Sequence, residues 1–91
     1  MKFPLAYDAT TTREDFVRLL PLATGGQEFR EVEGVFSGQG WSLRLTRIPP
    51  LEIGLVRLER HRVEIEFNGL TVAEQNRFMR RFALHYQRGG G

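Results

Sequence analysis

The sequence predicts an α+β fold: a two-layer sandwich in which a mainly antiparallel four- or five-stranded sheet carries two helices on one face, in the order β-α-β-β-β-β-α. Three observations carry this expectation. Apolar residues recur at every second position through the middle of the chain, the period of strands with one buried face. Two stretches, one near each end, place apolar residues at helical spacing behind a Thr-x-x-Glu start signal. Short turn-forming runs join the central strands, and strands so joined pair antiparallel.

Phe3, Leu5 and Tyr7 alternate with polar or small residues, which predicts a first strand, placed at the end or edge of a sheet by Pro4. Thr11-Thr12-Arg13-Glu14 then reads as a capping box with Thr11 as the cap, opening a helix whose buried face is Phe16, Leu19, Leu20 and Ala23. Pro21 is expected to end that helix near Leu20, ahead of the closing Gly25-Gly26. Glu28 to Phe36 is read as one strand, bulged at Gly34.

Ser37-Gly38-Gln39-Gly40 supplies a turn, after which Trp41, Leu43 and Leu45 alternate with Ser42, Arg44 and Thr46 in the second arm of a hairpin. Pro49-Pro50 is expected to stop that arm, since neither residue has an N–H for a ladder. Two more strands are placed at about 51–58 and 62–67, joined through Glu59-Arg60-His61, because the apolar phase changes between Leu58 and Val63. A second capping box, Thr71-Val72-Ala73-Glu74, opens the last helix, with Val72, Met79, Phe82, Ala83 and Tyr86 on one side and Phe78 beside them. The domain spans 1–88, and 89–91 form a flexible glycine tail. The sheet face away from the helices would present Arg44, Thr46, Arg62, Glu64 and Glu66.

The 91 residues allow one modest core, 41% of them being hydrophobic. The absence of cysteine excludes disulfides, thiolate metal sites and cysteine nucleophiles. Met1 to Leu5 runs quickly into Asp8, Arg13 and Glu14, which leaves no apolar stretch for a signal peptide or membrane span; the expectation is a cytoplasmic protein without a membrane partner. The formal charge of +2 is too small to mark a polyanion binder. It is unevenly spread, −2 up to Leu43 and +4 from Arg44 onward.

The chemistry-bearing residues argue against catalysis. Ser37 and Ser42 lack a nucleophile-elbow context, and His61 and His85 are isolated, so no triad, metal site or cofactor site is assigned. Glu64 and Glu66 share a strand face, as paired carboxylates would, but glutamates opposite Arg44 or Arg47 on a solvated sheet face account for the same pattern. Gly38-Gln39-Gly40 precedes a strand and not a helix, which makes it a hairpin turn and not a phosphate cradle.

Two features remain as candidate partner-binding residues. Arg77, Arg80, Arg81 and Arg88 crowd the outer side of the last helix, where an acidic surface or phosphates would meet them, although any solvated helix of an arginine-rich chain looks similar. Trp41 would anchor a partner if exposed, but its phase with Leu43 and Leu45 favours the core. The leading expectation is therefore a non-enzymatic protein-interaction module that self-associates or docks an acidic partner. The alternatives are a nucleic-acid binder using the arginine face, and a small-ligand or enzymatic protein with a pocket between helices and sheet that involves His61 or Glu64.

Overall fold

The computed structural model describes residues 5–26 and 28–86, so Phe3, Arg88 and the glycine tail lie outside the described residues. The elements follow as β1 (Ala6–Thr10), α1 (Arg13–Ala23), β2 (Arg30–Val32), β3 (Val35–Gly38), β4 (Trp41–Ile53), β5 (Val56–Phe67) and α2 (Val72–Tyr86). All five strands form one antiparallel sheet in the order β1-β5-β4-β3-β2. The α+β class and the element order agree with the sequence pattern.

The strands β2 to β5 form a meander, and β1 closes the far edge by pairing with β5. Odd positions of β4 up to Leu45 and of β5 from His61 point to the helices: Trp41, Leu43, Leu45, Val63 and Ile65 are buried. They meet Phe16, Leu20 and Ala23 of α1 and Met79 and Phe82 of α2, which completes the core with Phe36. Even positions face solvent, so Arg44, Thr46, Arg62, Glu64 and Glu66 stand exposed on the uncovered face, Arg44 directly opposite Glu64. Apolar alternation thus translates into one buried and one solvated face, as an antiparallel sheet permits.

Helix boundaries depart from the sequence reading in instructive ways. The N-cap of α1 is Thr12, whose Oγ1 accepts from the Asp15 N–H at 3.1 Å. Thr11, the residue after β1, instead donates its N–H to the Glu59 carbonyl at 3.0 Å. The helix also runs through Pro21 to Ala23. Pro21 removes one donor near the end of the helix, while the amides of Thr24, Gly25 and Gly26 cap the last carbonyls and full burial of Leu20 and Ala23 holds the turn against the sheet. In α2 the predicted box is present in both directions: the Thr71 N–H donates to Glu74 Oε1 at 2.8 Å and the Glu74 N–H to Thr71 Oγ1 at 3.1 Å. Val72, assigned to the apolar side, is 72% exposed, because the first turn of α2 precedes the region where the helix reaches the core. Leu5, expected in the first strand, precedes β1 and is exposed.

Among the strands, the segment read as one element from Glu28 to Phe36 is two, folded back at Glu33-Gly34. Both turn residues have positive φ, 49° and 81°, as a two-residue type I′ turn requires, and the glutamate conceals that signal. The larger correction concerns residues 41–67. Pro49-Pro50 do not stop β4, and Glu59-Arg60-His61 do not interrupt β5: the two form one long hairpin that turns at Gly54-Leu55. Past Leu45 no described strand flanks β4, so prolines there forfeit no ladder donor on that edge.

Candidate functional site

Three places concentrate the chemistry of the molecule. The first is an open cleft of about 220 Å³ between the C-terminal end of α1, the β3–β4 turn and α2. Its walls bring together Trp41, Arg77 and Arg81, which the sequence offered separately, with Thr24, Gln39 and Glu74. The spacing of Arg77 and Arg81, four residues apart on α2, puts both guanidinium stems on the cleft side. Arg80 is exposed but is not among the cleft residues, and Arg88 lies outside the described residues.

Trp41 is buried, 4% exposed, as its alternation with Leu43 foretold, and its indole lies over Gly38, its cross-strand partner. The indole Nε1–H finds no acceptor among the described residues. Glu74 is the one carboxylate at the cleft, and the Thr71 amide and hydroxyl hold it below the usual glutamate range, with Arg77 assisting. Arg81 has a structural duty as well: α1 has no basic residue in its last turn, and the Arg81 guanidinium lies against Gly25 at that negative end.

The second place lies at the other end of α1. His61 is 4% exposed, buried under the start of the helix. Its Nδ1 donates to the Thr11 carbonyl at 3.1 Å, and its Nε2 lies 3.5 Å from Glu59 Oε2. The same carboxylate oxygen accepts from the Arg13 N–H at 3.3 Å, so Glu59 and His61 pin the helix entry to β5. Glu64, named with His61 as a candidate for a pocket, points to the opposite face of β5, where it pairs in register with Arg44. The structure therefore does not bring His61 and Glu64 together.

A cleft of about 560 Å³ on this flank is lined by Tyr7, Phe16, Leu19, His85 and Tyr86 with Asp8 and Asp15 at its margin. Burial raises both tyrosines above the ordinary phenol range, and Tyr86 donates to the Phe16 carbonyl at 2.6 Å. His85 turns its Nδ1 to the Arg81 carbonyl at 3.0 Å. Among the described residues no group of three or more His, Cys, Asp or Glu is placed to hold a metal ion. No described helix is long and apolar enough to cross a membrane.

The third place was missed by sequence reasoning. Beyond Leu45 and Arg60 the β4–β5 hairpin leaves the sandwich as a two-stranded arm, and the molecule reaches 45 Å in its longest dimension against 19 Å in its shortest. At the root of the arm Ile48 faces Arg60, but Leu51 faces Leu58, so Pro49 and Pro50 together oppose Glu59 in a bulge. One extra residue reverses the facing of everything beyond it. Leu51 and Ile53 continue the odd-numbered phase of Trp41, Leu43 and Leu45, yet they pair with Leu58 and Val56 on the uncovered side of the ribbon.

The arm is consequently two-sided. Leu51, Ile53, Val56 and Leu58 occupy one side with Ile48 at the root, and Glu52 and Arg57 pair on the other. Gly54, with φ 59°, makes the turn, and Leu55 at the tip is fully exposed. A positive φ at the first central position only is the type II′ arrangement, which matches the twist of a two-residue hairpin. The signal that would have revealed the arm is the pair Gly54-Leu55 between two apolar runs of like length. No protein-family model matches this chain, and no curated protein is similar to it.

Proposed function

We propose that the chain is a protein-interaction module whose docking element is the apolar side of the β4–β5 arm. The observation that carries this reading is the exposure of Leu51, Ile53, Leu55, Val56 and Leu58, which are 36%, 59%, 105%, 54% and 37% exposed on one contiguous ribbon. Isolated apolar residues on a surface need no explanation, whereas a contiguous patch of this kind marks a contact site. Among the described residues no element lies over these side chains, whose cross-strand partners are one another, Leu51 with Leu58 and Ile53 with Val56. At the tip of a hairpin, where a polar residue would serve the turn equally well, Leu55 gives the fold nothing that it gives a partner.

The test replaces Ile53 and Leu55 with serine and Val56 with threonine, and follows denaturant unfolding of the dilute protein. If these residues serve binding, the shaved chain keeps its stability to within about 0.5 kcal/mol, as other substitutions on open surface do. A loss of more than about 2 kcal/mol would assign them to the fold and defeat the reading.

A second docking point is supported by the cleft at Trp41, Arg77 and Arg81, where two exposed guanidinium groups flank a buried indole. Its chemistry suits an acidic side chain or chain terminus, for which arginine offers a planar fork of donors. Charge reversal at the cleft by Arg77→Glu would abolish capture of an acidic peptide, and unchanged capture would remove this surface from consideration. Nucleic-acid binding through the same helix would show an affinity that falls steeply as salt rises, and a salt-independent affinity would exclude it.

A further inference from the structure

We infer that the arm's partner is a second copy of this chain, the two arms packing face to face and antiparallel about a twofold axis. The inference rests on the reading of the arm as a docking element and names its occupant.

The arm itself excludes other modes of docking. Strand addition along β4 is blocked because Pro49 and Pro50 have no N–H to offer and the bulge interrupts the edge. On β5 the free edge is only Val56 to Leu58, since Glu59 already accepts from the Thr11 amide. Insertion of the tip into a lipid surface would carry Glu52 and Arg57, on the polar side, into the apolar layer with Leu51 and Ile53. What remains is a partner that covers one side of a ribbon and leaves the other wet.

A second copy supplies that complement. From root to tip the apolar side runs Ile48, then Leu51 beside Leu58, then Ile53 beside Val56, then Leu55. A twofold operation that reverses this order sets Leu55 over Ile48 and the Ile53–Val56 layer over the Leu51–Leu58 layer, so aliphatic meets aliphatic throughout. An isologous contact requires this self-complementarity. Charge selects the same direction: Arg60 stands at the root on the apolar side, and parallel arms would place it against its own copy, whereas antiparallel arms hold the two apart.

The area is adequate. The exposed fractions amount to apolar surface on the order of 500 Å² per arm, so two arms bury on the order of 1,000 Å², the lower bound of a specific interface. An interface of this size belongs with weak, reversible association and not with an obligate dimer.

The full chain, which has no cysteine, permits a direct test. Light scattering with size exclusion should give twice the 10.5 kDa chain mass at concentrations of about 100 μM and half of that on dilution. Ile53→Lys should weaken association at least tenfold, and Arg57→Glu, on the polar side, should leave it unchanged. Mixing an Ile48→Cys chain with a Leu55→Cys chain, with dissolved oxygen as the oxidant, should yield a disulfide between the two that neither gives alone. A monomer at all concentrations, a dimer indifferent to Ile53→Lys, or a disulfide formed only between Leu55→Cys chains would overturn the inference. So would arm-dependent sedimentation of a monomer with anionic vesicles. In each of these cases the docking reading stands or falls separately, on the stability of the shaved chain.

Discussion

Gly25 shows how one residue joins two helices. Its φ of 88° closes α1 in a conformation that a side chain disfavours, and a Cβ there would meet the Arg81 guanidinium. Gly25→Ala should therefore lower stability by about 1–3 kcal/mol in denaturant unfolding, with the larger figure if Arg81 is displaced from the helix end. Removing the side chain at Arg81 in the same background separates the two causes: a partial recovery would identify steric conflict, and none would leave backbone strain alone. His61 is a comparable case, since its Nδ1 satisfies the Thr11 carbonyl within the fold. His61→Leu preserves bulk but leaves that carbonyl and Glu59 without the ring, an expected cost of about 1–3 kcal/mol. A stability equal to that of the parent protein would show that water or another group replaces the imidazole.

At the level of elements, caps and turns decide what periodicity only suggests. The reciprocal bonds of Thr71 and Glu74 start α2, and the one that the Thr71 amide donates to the Glu74 carboxylate depends on the ionisation of that side chain, whose acidity is strengthened chiefly by the Thr71 amide and then by its hydroxyl and Arg77. The sign follows from the depressed value. The cap contributes fully above the ordinary glutamate range and is lost as pH falls through the lower folded value. An acid titration followed by NMR should show the Glu74 carboxyl and the Thr71 amide moving together, below the midpoint of an exposed glutamate; Glu74→Gln should remove that coupled transition. The arm depends likewise on one turn. With Gly54→Val the positive φ is strained, and amide exchange should accelerate through residues 47–59 while protection at Leu43, Val63 and Ile65 persists. Loss of protection across the whole sheet would mean that the arm and sandwich unfold as one unit.

Across the whole molecule, both helices meet over one side of the sheet, and Phe82 is their junction. It is fully buried, with the rings of Phe16 and Tyr86 at centroid distances of 6.4 and 4.6 Å and that of Tyr7 at 6.5 Å. Phe82→Ala should cost about 3–5 kcal/mol, a large share of the 5–15 kcal/mol that holds a domain folded, and calorimetry should register a strongly lowered melting point. A small change would require the core to collapse into the space left behind. The same sheet leaves its other face to water, where Arg62 pairs with Asp8 at 3.3 Å and Arg44 faces Glu64; exposed pairs of this kind add little stability. The arm departs furthest from this division into a covered apolar face and a solvated polar one, and Val32, opposite Val35 on the uncovered face, departs from it at a single position.

The residue pattern alone determined the α+β class, the succession of a strand, a helix, a run of strands and a second helix, the core membership of Trp41, Leu43, Val63, Ile65, Met79 and Phe82, and the capping box of α2, because each of these follows from local periodicity or from a bond between near neighbours. It misjudged Pro21, Pro49-Pro50 and Glu33-Gly34 for a common reason: whether a lost donor or a strained φ is tolerated depends on what lies beside it, a buried helix end in one case and a free sheet edge in another. The clustering of Trp41 with Arg77 and Arg81 came from chain folding over a distance that no local pattern spans. The arm required the register of two strands and one bulged residue, which turned a single apolar phase from the core to the surface. Side-chain spacing encodes that a face is apolar; which way the face points is set by pairing between strands, and only the folded chain contains that.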